Sequence, residues 1–328
     1  MIETAHNQLE AEGQRKRRNA LASFVVRLVK EKPLGTVGAI IVLLMLLTAI
    51  FANFIAPYHY ADIHIKDPLL PPGGTYLLGT DSLGRDVFSR IIYGARLSLY
   101  VGLSATLINV ILASLIGIPS GYIGGKYDLI VQRMVDALMS IPVLILLITI
   151  MSLVGSGVIQ VIVVLGVVGS FGLSRLVRSA TIAIRENIYF DAARAVGAPT
   201  WRVILRHALP NIMPILVITF SIGVAGAILA EASLSFLGVG IPPPYPSWGR
   251  MLSLEGRRYM YEAPWLAIWP GVALTTAIYG LNIFGDAVRD LLDPRLRGGA
   301  GRFSRATKKS KKAGKTRAEA IELVKIDE

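Results

Sequence analysis

Long apolar runs broken by short polar stretches dominate the chain. Six runs approach the roughly 20 residues that a helix needs to cross a bilayer: residues 37–56, 97–119, 134–154, 158–177, 212–238 and 265–285. Only Gly155-Ser156-Gly157 separates the third from the fourth. The runs carry Pro119, Pro142, Gly166, Gly169, Gly223 and Gly226. Gly and Pro are commoner in membrane helices than in soluble ones, and Gly lets helices approach closely. The pattern predicts an all-α polytopic membrane protein with about six transmembrane helices. The expected organisation is a basic N-terminal segment (1–36), a first span (37–56), an outer loop with an amphipathic helix (57–96), a membrane core (97–285) holding a polar loop at 178–211, and a basic tail (286–328).

Charge gives this pattern a direction. Arg15, Lys16, Arg17, Arg18, Arg27, Lys30 and Lys32 precede the first span. Arg178, Arg185, Arg194, Arg202 and Arg206 lie between the fourth and fifth, and Arg289, Arg295, Arg297 and a lysine-rich run at 308–315 come after the last. The positive-inside rule puts all three regions, and therefore both termini, in the cytoplasm. The net charge of +12 reads as topology rather than as a nucleic-acid footprint, and the 302–315 segment as a basic stretch near anionic lipid. Residues 317–326 suit a short amphipathic helix. Hydrophobic residues make up 53% and charged residues 17%, against about 25% charged in a soluble domain. The apolar run at 37–56 is too long for a signal-peptide core and no A-x-A-like site comes after it, so it reads as a retained span.

Residues 191–210 are the most informative polar stretch. Asp191, Ala192, Ala193, Arg194 and Ala195 favour helix. Gly197 supplies a residue tolerant of positive φ, and Thr200 is an expected N-cap. Trp201, Ile204, Leu205, Ala208 and Leu209 recur at helical spacing, with Arg202 and Arg206 on the other face. Pro210 is expected to end the helix. A further stretch, 78–90, places Thr80 or Asp81 as the cap of a surface helix with Val87, Ile91, Ile92 and Tyr93 on its apolar face and Arg85, Ser89 and Arg96 on its polar one.

Asp191-Ala192-Ala193, three residues, Gly197, then Leu209-Pro210 resembles the EAA motif of ABC-importer permeases. Asp191 stands where that motif has Glu, and His207 where it has an apolar Ile. Residues 79–99, 231–240 with Pro242-Pro243-Pro244 and Pro246-Ser247-Trp248-Gly249, and 282–296 are similar to blocks of the dipeptide/oligopeptide subfamily. The resemblance runs from about Pro33 to about Arg297. It implies the type I ABC-importer permease fold. It also implies a homologous permease subunit as heterodimer partner, two cytoplasmic ATPase subunits and an extracytoplasmic substrate-binding protein. ATP and Mg would sit on the ATPases, with no cofactor in this chain. Asp191, Ala192, Ala193, Gly197, Trp201, Leu205, Leu209 and Pro210 would then couple to the ATPase, and Pro243, Trp248 and Arg250 would contact the binding protein, with Glu255, Arg257, Arg258 and Glu262 as further candidates for ion pairs. Cargo in this subfamily ranges over dipeptides, longer peptides, nickel chelates, glutathione and some sugars.

Polar residues inside the runs are candidates for a pathway, because an intramembrane carboxylate is costly and faces the bundle interior or a water-filled path. Glu231, with Ser233 and Ser235, is either such a pathway residue or a structural partner. Asp136 is expected at the interface, paired with Arg133 or Lys126, and Arg175 and Arg178 are expected to snorkel. Catalytic chemistry has no candidate. Gly314-Lys315-Thr316 lacks the first Gly of a P-loop, Lys309 standing there. His6, His59, His64 and His207 show no metal-ligand spacing, and the chain has no cysteine. A secondary transporter would be expected to show inverted repeats, and a membrane scaffold could use the same basic loop without transport.

Overall fold

A computed structural model describes residue 22 and residues 24–292. The expectations for the basic tail, including 302–315 and 317–326, lie outside the described residues. Leu28–Ala287 forms one compact unit, and the remaining described residues, 22, 24–27 and 288–292, belong to a second.

The described residues are almost wholly helical, with one isolated bridge between Thr80 and Asp86. The long elements are α1 (Pro33–Ile50), α2 (Val87–Ile123), α3 (Gly125–Met139), α4 (Val143–Val154), α5 (Val158–Arg185), α6 (Ile188–Ala195), α7 (Thr200–Phe236), α8 (Trp248–Arg250, continued by a π-helical stretch Met251–Gly256) and α9 (Trp265–Leu292). α1, α2, α5, α7 and α9 are each long and apolar enough to cross a membrane. The bent pair α3 and α4 makes a sixth if counted together.

Four expectations need correction. The run 134–154 is not one straight helix. α3 and α4 meet at 87°, because Pro142 has no N–H to donate and disfavours helical backbone at Ile141 before it. The amphipathic outer helix does not exist as a separate element. Asp86, not Thr80 or Asp81, caps the start of α2 by accepting the Ser89 N–H at 2.8 Å, and the helix runs on for 37 residues. Pro210 does not end the helix that begins at Thr200. Residues Ile204–Ala208 widen to a π-helix whose i−5 bond, Leu209 N–H to Ile204 carbonyl, opens the turn before the proline. α7 therefore continues through Pro210 to Phe236. Thr200 is the first helical residue, after Pro199, and makes no cap.

α2 is the central strut. It packs against α5 along a stripe on which Gly117 and Gly121 let the backbones touch. A Cβ at Gly117 would lie 2.5 Å from the Ser174 carbonyl, and one at Gly121 2.6 Å from that of Arg178. This is small-residue packing four apart, as membrane helices use it. The same contacts show that α2 and α5 run parallel, while Gly102 of α2 meets Ile228 and Val224 of α7, which runs the other way. The loop 186–199 thus lies at one end of the bundle, the near end, with the start of α1 and residues 124–139. Residues 57–86 and 237–264 lie at the far end. Three buried clusters fill this layout. One joins α1, α2, α7, α8 and α9 (Met45, Leu99, Ile228, Trp248, Leu281). One joins α2, α4, α5 and α7 (Val101, Met151, Val161, Leu234). One joins α2, α5, α6 and α7 at the near end (Val177, Phe190, Val203, Ile212).

Candidate functional site

The near-end surface is built by α6, a tight turn and the first turns of α7. α6 ends in a double hydrogen-bonded cap: the Gly197 N–H reaches the Arg194 carbonyl at 2.9 Å and the Ala198 N–H that of Ala193 at 3.0 Å. That closure needs a left-handed residue, and Gly197 has φ +74°. No atom lies within 4 Å of a Cβ built there, so a side chain at 197 would meet backbone strain of roughly 1 kcal/mol and no clash.

The apolar residues of this loop divide into two sets. Phe190, Ala193, Val203 and Ala208 are buried and anchor the loop to α2 and α5. Ile188, Val196 and Trp201 stand out, at 86%, 83% and 61% exposure. Asp191, Ala192 and Pro210 are accessible beside them. Ala193, expected at the coupling surface, is therefore corrected to the anchor, since it falls on the inward side of α6. Leu205, at 57% exposure, also stays outward, and with the half-buried Leu209 it lines an apolar groove of about 430 Å³ shared with Val110, Leu115 and Met213. His207, where the motif has Ile, packs its ring 6.3 Å from that of the buried Phe190, so it takes over the apolar residue's packing.

A polar recess of about 740 Å³ opens next to this surface, lined by Tyr122, Arg185, Glu186, Asp191, Arg194 and Thr200. Arg185 donates to the Gly121 carbonyl at 3.0 Å, and the Arg194 guanidinium sits 5.7 Å from the centre of the Tyr122 ring. Behind it, Asp128 of α3 takes Arg178 of α5 in a two-pronged pair, Nε–Oδ1 2.6 Å and Nη2–Oδ2 2.5 Å, and also accepts the Ser120 hydroxyl. Asp136 pairs with Arg175 and lies 4.0 Å from Arg133. The expected snorkelling arginines are thus bound to α3. The charge spacing offered by the sequence could not show this, because the partners are 50 and 39 residues apart.

The far end is also tied together by buried polar groups. Arg85 donates Nε to Asp81 at 2.6 Å and Nη2 to Glu255 at 2.8 Å, and Arg90 lies 3.5 Å from Asp81. Arg85, expected on the polar face of a surface helix, is buried, and Glu255, a candidate for an ion pair with a binding protein, pairs with it at 18% exposure. Burial pushes the Glu255 carboxyl up from its ordinary value, and burial lowers Arg250. Trp248, expected to contact a partner, is corrected to the core: it is 2% exposed and its indole donates to the Ile91 carbonyl at 3.2 Å. Its large apolar ring is better accommodated against α2 than in water. Pro243 is exposed, and Arg250 is half-buried with a bond to the Ile241 carbonyl at 3.3 Å.

The pathway trio separates. Glu231 is 1% exposed and its Oε1 accepts the hydroxyls of Ser235 at 2.7 Å and Ser247 at 2.6 Å. It is a structural partner for serines rather than a residue lining an open path. Ser233 faces away and bonds back to the Leu229 carbonyl. Among the described residues no group of three or more His, Cys, Asp and Glu is placed to hold a metal ion.

A bundle of five to six helices long and apolar enough to cross a membrane, with a folded helix–turn–helix surface at one end and a clamped loop layer at the other, defines a multi-pass membrane protein. Comparison with known proteins places it further. Residues 113–298 match the family of binding-protein-dependent transport system inner membrane components, and residues 24–72 match the N-terminal membrane domain of oligopeptide transport permease C. The chain is 36% identical over 269 residues to a dipeptide transport system permease protein of Alkalihalophilus pseudofirmus, covering 82% of this chain and 88% of that protein. It is 37% identical over 261 residues to a glutathione transport system permease protein of Pectobacterium atrosepticum, covering 79% and 86%, and 37% identical over 272 residues to a dipeptide transport system permease protein of Bacillus subtilis, covering 83% and 85%. Among solved structures it is similar to the inward-facing MetNI methionine ABC transporter, with TM-score 0.46 and 24% identity over 60% of this chain and 94% of that one. The chain belongs to the family of binding-protein-dependent transport system inner membrane components. It is a permease subunit of an ABC importer.

Proposed function

We propose that this subunit forms half of a peptide pathway and is driven through its near-end loop by cytoplasmic ATPases. The observation that carries the proposal is the set of large apolar side chains left exposed on a folded, basic loop: Ile188, Val196 and Trp201, over an anchored Phe190 and Val203. Exposed patches of this kind on an otherwise well-packed surface mark a docking site. The site residues in this reading are Asp191, Ala192, Gly197, Trp201, Leu205, Leu209 and Pro210, joined by Ile188 and Val196. The relatives' names, dipeptide and glutathione transport system permease proteins, support a peptide cargo. The remaining partners are a homologous permease, a pair of ATPases carrying ATP and Mg, and an extracytoplasmic binding protein that meets the Pro243–Tyr245 tip and Arg250. The setting is a bacterial or archaeal cell membrane. ATP-driven approach of the ATPases moves the start of α7, and a two-state bundle answers by exchanging inward and outward openings.

This reading requires the near end to be cytoplasmic, together with both termini. The chain has no cysteine, so single cysteines report cleanly. In intact cells an impermeant maleimide should label Asp62→Cys, in the exposed far-end loop, and leave Val196→Cys unlabelled until the membrane is opened. Labelling of Val196→Cys alone would invert the protein and remove the docking loop from ATP.

A further inference from the structure

The loop that joins α7 to α8 is clamped at both ends by one carboxylate. Glu231 lies five residues before the end of α7. Its Oε1 accepts Ser235 Oγ at 2.7 Å, and Ser235 Oγ in turn accepts the Ile241 N–H at 3.2 Å, at the start of the loop. The same Oε1 accepts Ser247 Oγ at 2.6 Å, at the loop's other end. Arg250 closes the ring by donating to the Ile241 carbonyl at 3.3 Å. All three members of the clamp, Glu231, Ser235 and Ser247, are 1% exposed. Just beyond Ser247, Gly249 lies on the α7 backbone so closely that a Cβ there would fall 2.5 Å from Ala232 Cα. Between the clamped ends stand Pro243, Pro244 and Tyr245, all exposed.

α7 runs without a sharp bend for 37 residues from Thr200 to Phe236, α-helical except for the π-helical turn Ile204–Ala208, and is about 55 Å long at 1.5 Å per residue. Its first turn carries the exposed Trp201, and its last two turns carry the clamp. We infer that Glu231, through Ser235 and Ser247, is a positioning residue that fixes the Ile241–Ser247 loop to α7, so that the far-end tip and the near-end docking turn move as one rigid body. An apolar side chain of the same size would fill the space equally well. A hydrogen-bonded carboxyl group in this buried place is explained by the need to hold a defined loop geometry, since hydrogen bonds are directional where apolar packing is not. The clamp gives a route by which a loaded binding protein seated on the Pro243–Tyr245 tip would reach the ATPases. This inference rests on the proposed function above.

The test uses the assembled complex in lipid nanodiscs: this chain, its partner permease and the two ATPases. The readout is the ratio of ATPase rate with binding protein, loaded from a mixed di- and tripeptide pool, to the rate without it. Glu231→Met keeps the volume and removes both bonds, and Ser247→Ala removes one end of the clamp with a minimal change in size. Both are expected to lower the ratio, Glu231→Met by about tenfold, as loss of a hydrogen bond of ordinary strength would. Glu231→Gln keeps an acceptor oxygen and should stay within about twofold of the parent. A role in packing alone would leave the ratio unchanged in Glu231→Met, and that result, or equal loss in the Gln and Met variants, overturns the clamp. If the parent complex assembles no ATPase or shows no stimulation, the functional reading itself fails. Stimulation in the parent that persists in both Glu231→Met and Ser247→Ala sinks the clamp alone.

Discussion

Replacing Val196 and Trp201 together by Asp should strip the ATPases from the detergent-solubilised complex while leaving this subunit folded. Both side chains are largely exposed, at 83% and 61%, so the subunit loses almost no packing of its own. A partner that buries them would lose two apolar anchors, and a large aromatic at an interface commonly contributes about 2 kcal/mol or more. The introduced carboxylates would add a desolvation cost in the same direction. A combined loss of about 4 kcal/mol weakens association about a thousandfold. Copurification through a tag on this chain, with quantification of the ATPase, measures it. An ATPase pair retained at the parent ratio would place docking elsewhere. Leu205→Asp is the informative comparison. Its side chain is 57% exposed and lines the groove with Val110 and Leu115, so this change should weaken docking with little effect on accumulation of the subunit in the membrane.

The second large effect is expected at the far end. Arg85→Met removes the cation shared by Asp81 and Glu255, whose side chains are 1% and 18% exposed. Breaking a buried charge pair by deleting one member costs about 3–5 kcal/mol, because the remaining charge is left without compensation. Arg90, 3.5 Å from Asp81, offsets part of this, so a loss near the lower limit, about 3 kcal/mol, is expected. For a domain of this size that corresponds to a fall of roughly 6–12 °C in the thermal midpoint. Adding Asp81→Asn and Glu255→Gln should recover much of the loss, since the cost comes from unpaired charge and not from missing contacts. An unchanged midpoint in Arg85→Met would show that Asp81 and Glu255 are hydrated and that the cluster does not hold the far-end loops together.

These two sites differ in how far the sequence reveals them. Six apolar runs and a Gly between two helical stretches are readable because they are local: hydrophobic length sets the spans, and a helix end that needs positive φ calls for glycine, as at Gly197 with φ +74°. The bend at Pro142 is open to the same reasoning, but the run 134–154 is apolar enough to mask it. Partners distant in sequence are not readable. Arg85 finds Glu255 170 residues away, and Arg178 finds Asp128 across 50. Periodicity places Trp201, Leu205 and Leu209 on one stripe. Trp201 and Leu205 do stay outward, at 61% and 57% exposure, while the π-helical widening at Ile204–Ala208 shifts the register beyond them and leaves Leu209 half-buried. Trp248 reads as an exposed anchor among prolines, and only the packing of α8 on α2 shows it to be core. The clamp at Glu231 is half visible: a carboxylate beside two serines suggests a polar role, but its link to Ser247 depends on the path of the loop.

The central claim is that this chain conducts its cargo only when ATPases act on its near-end loop. The most direct measurement is uptake of a labelled dipeptide into proteoliposomes that hold this chain, its partner permease and the ATPase pair, with ATP enclosed on the side of the near end and the loaded binding protein outside. The account predicts accumulation that depends on ATP, stops when this chain is omitted, and persists when proton and sodium gradients are collapsed. Accumulation driven by an ion gradient without ATP would identify a secondary transporter and contradict it.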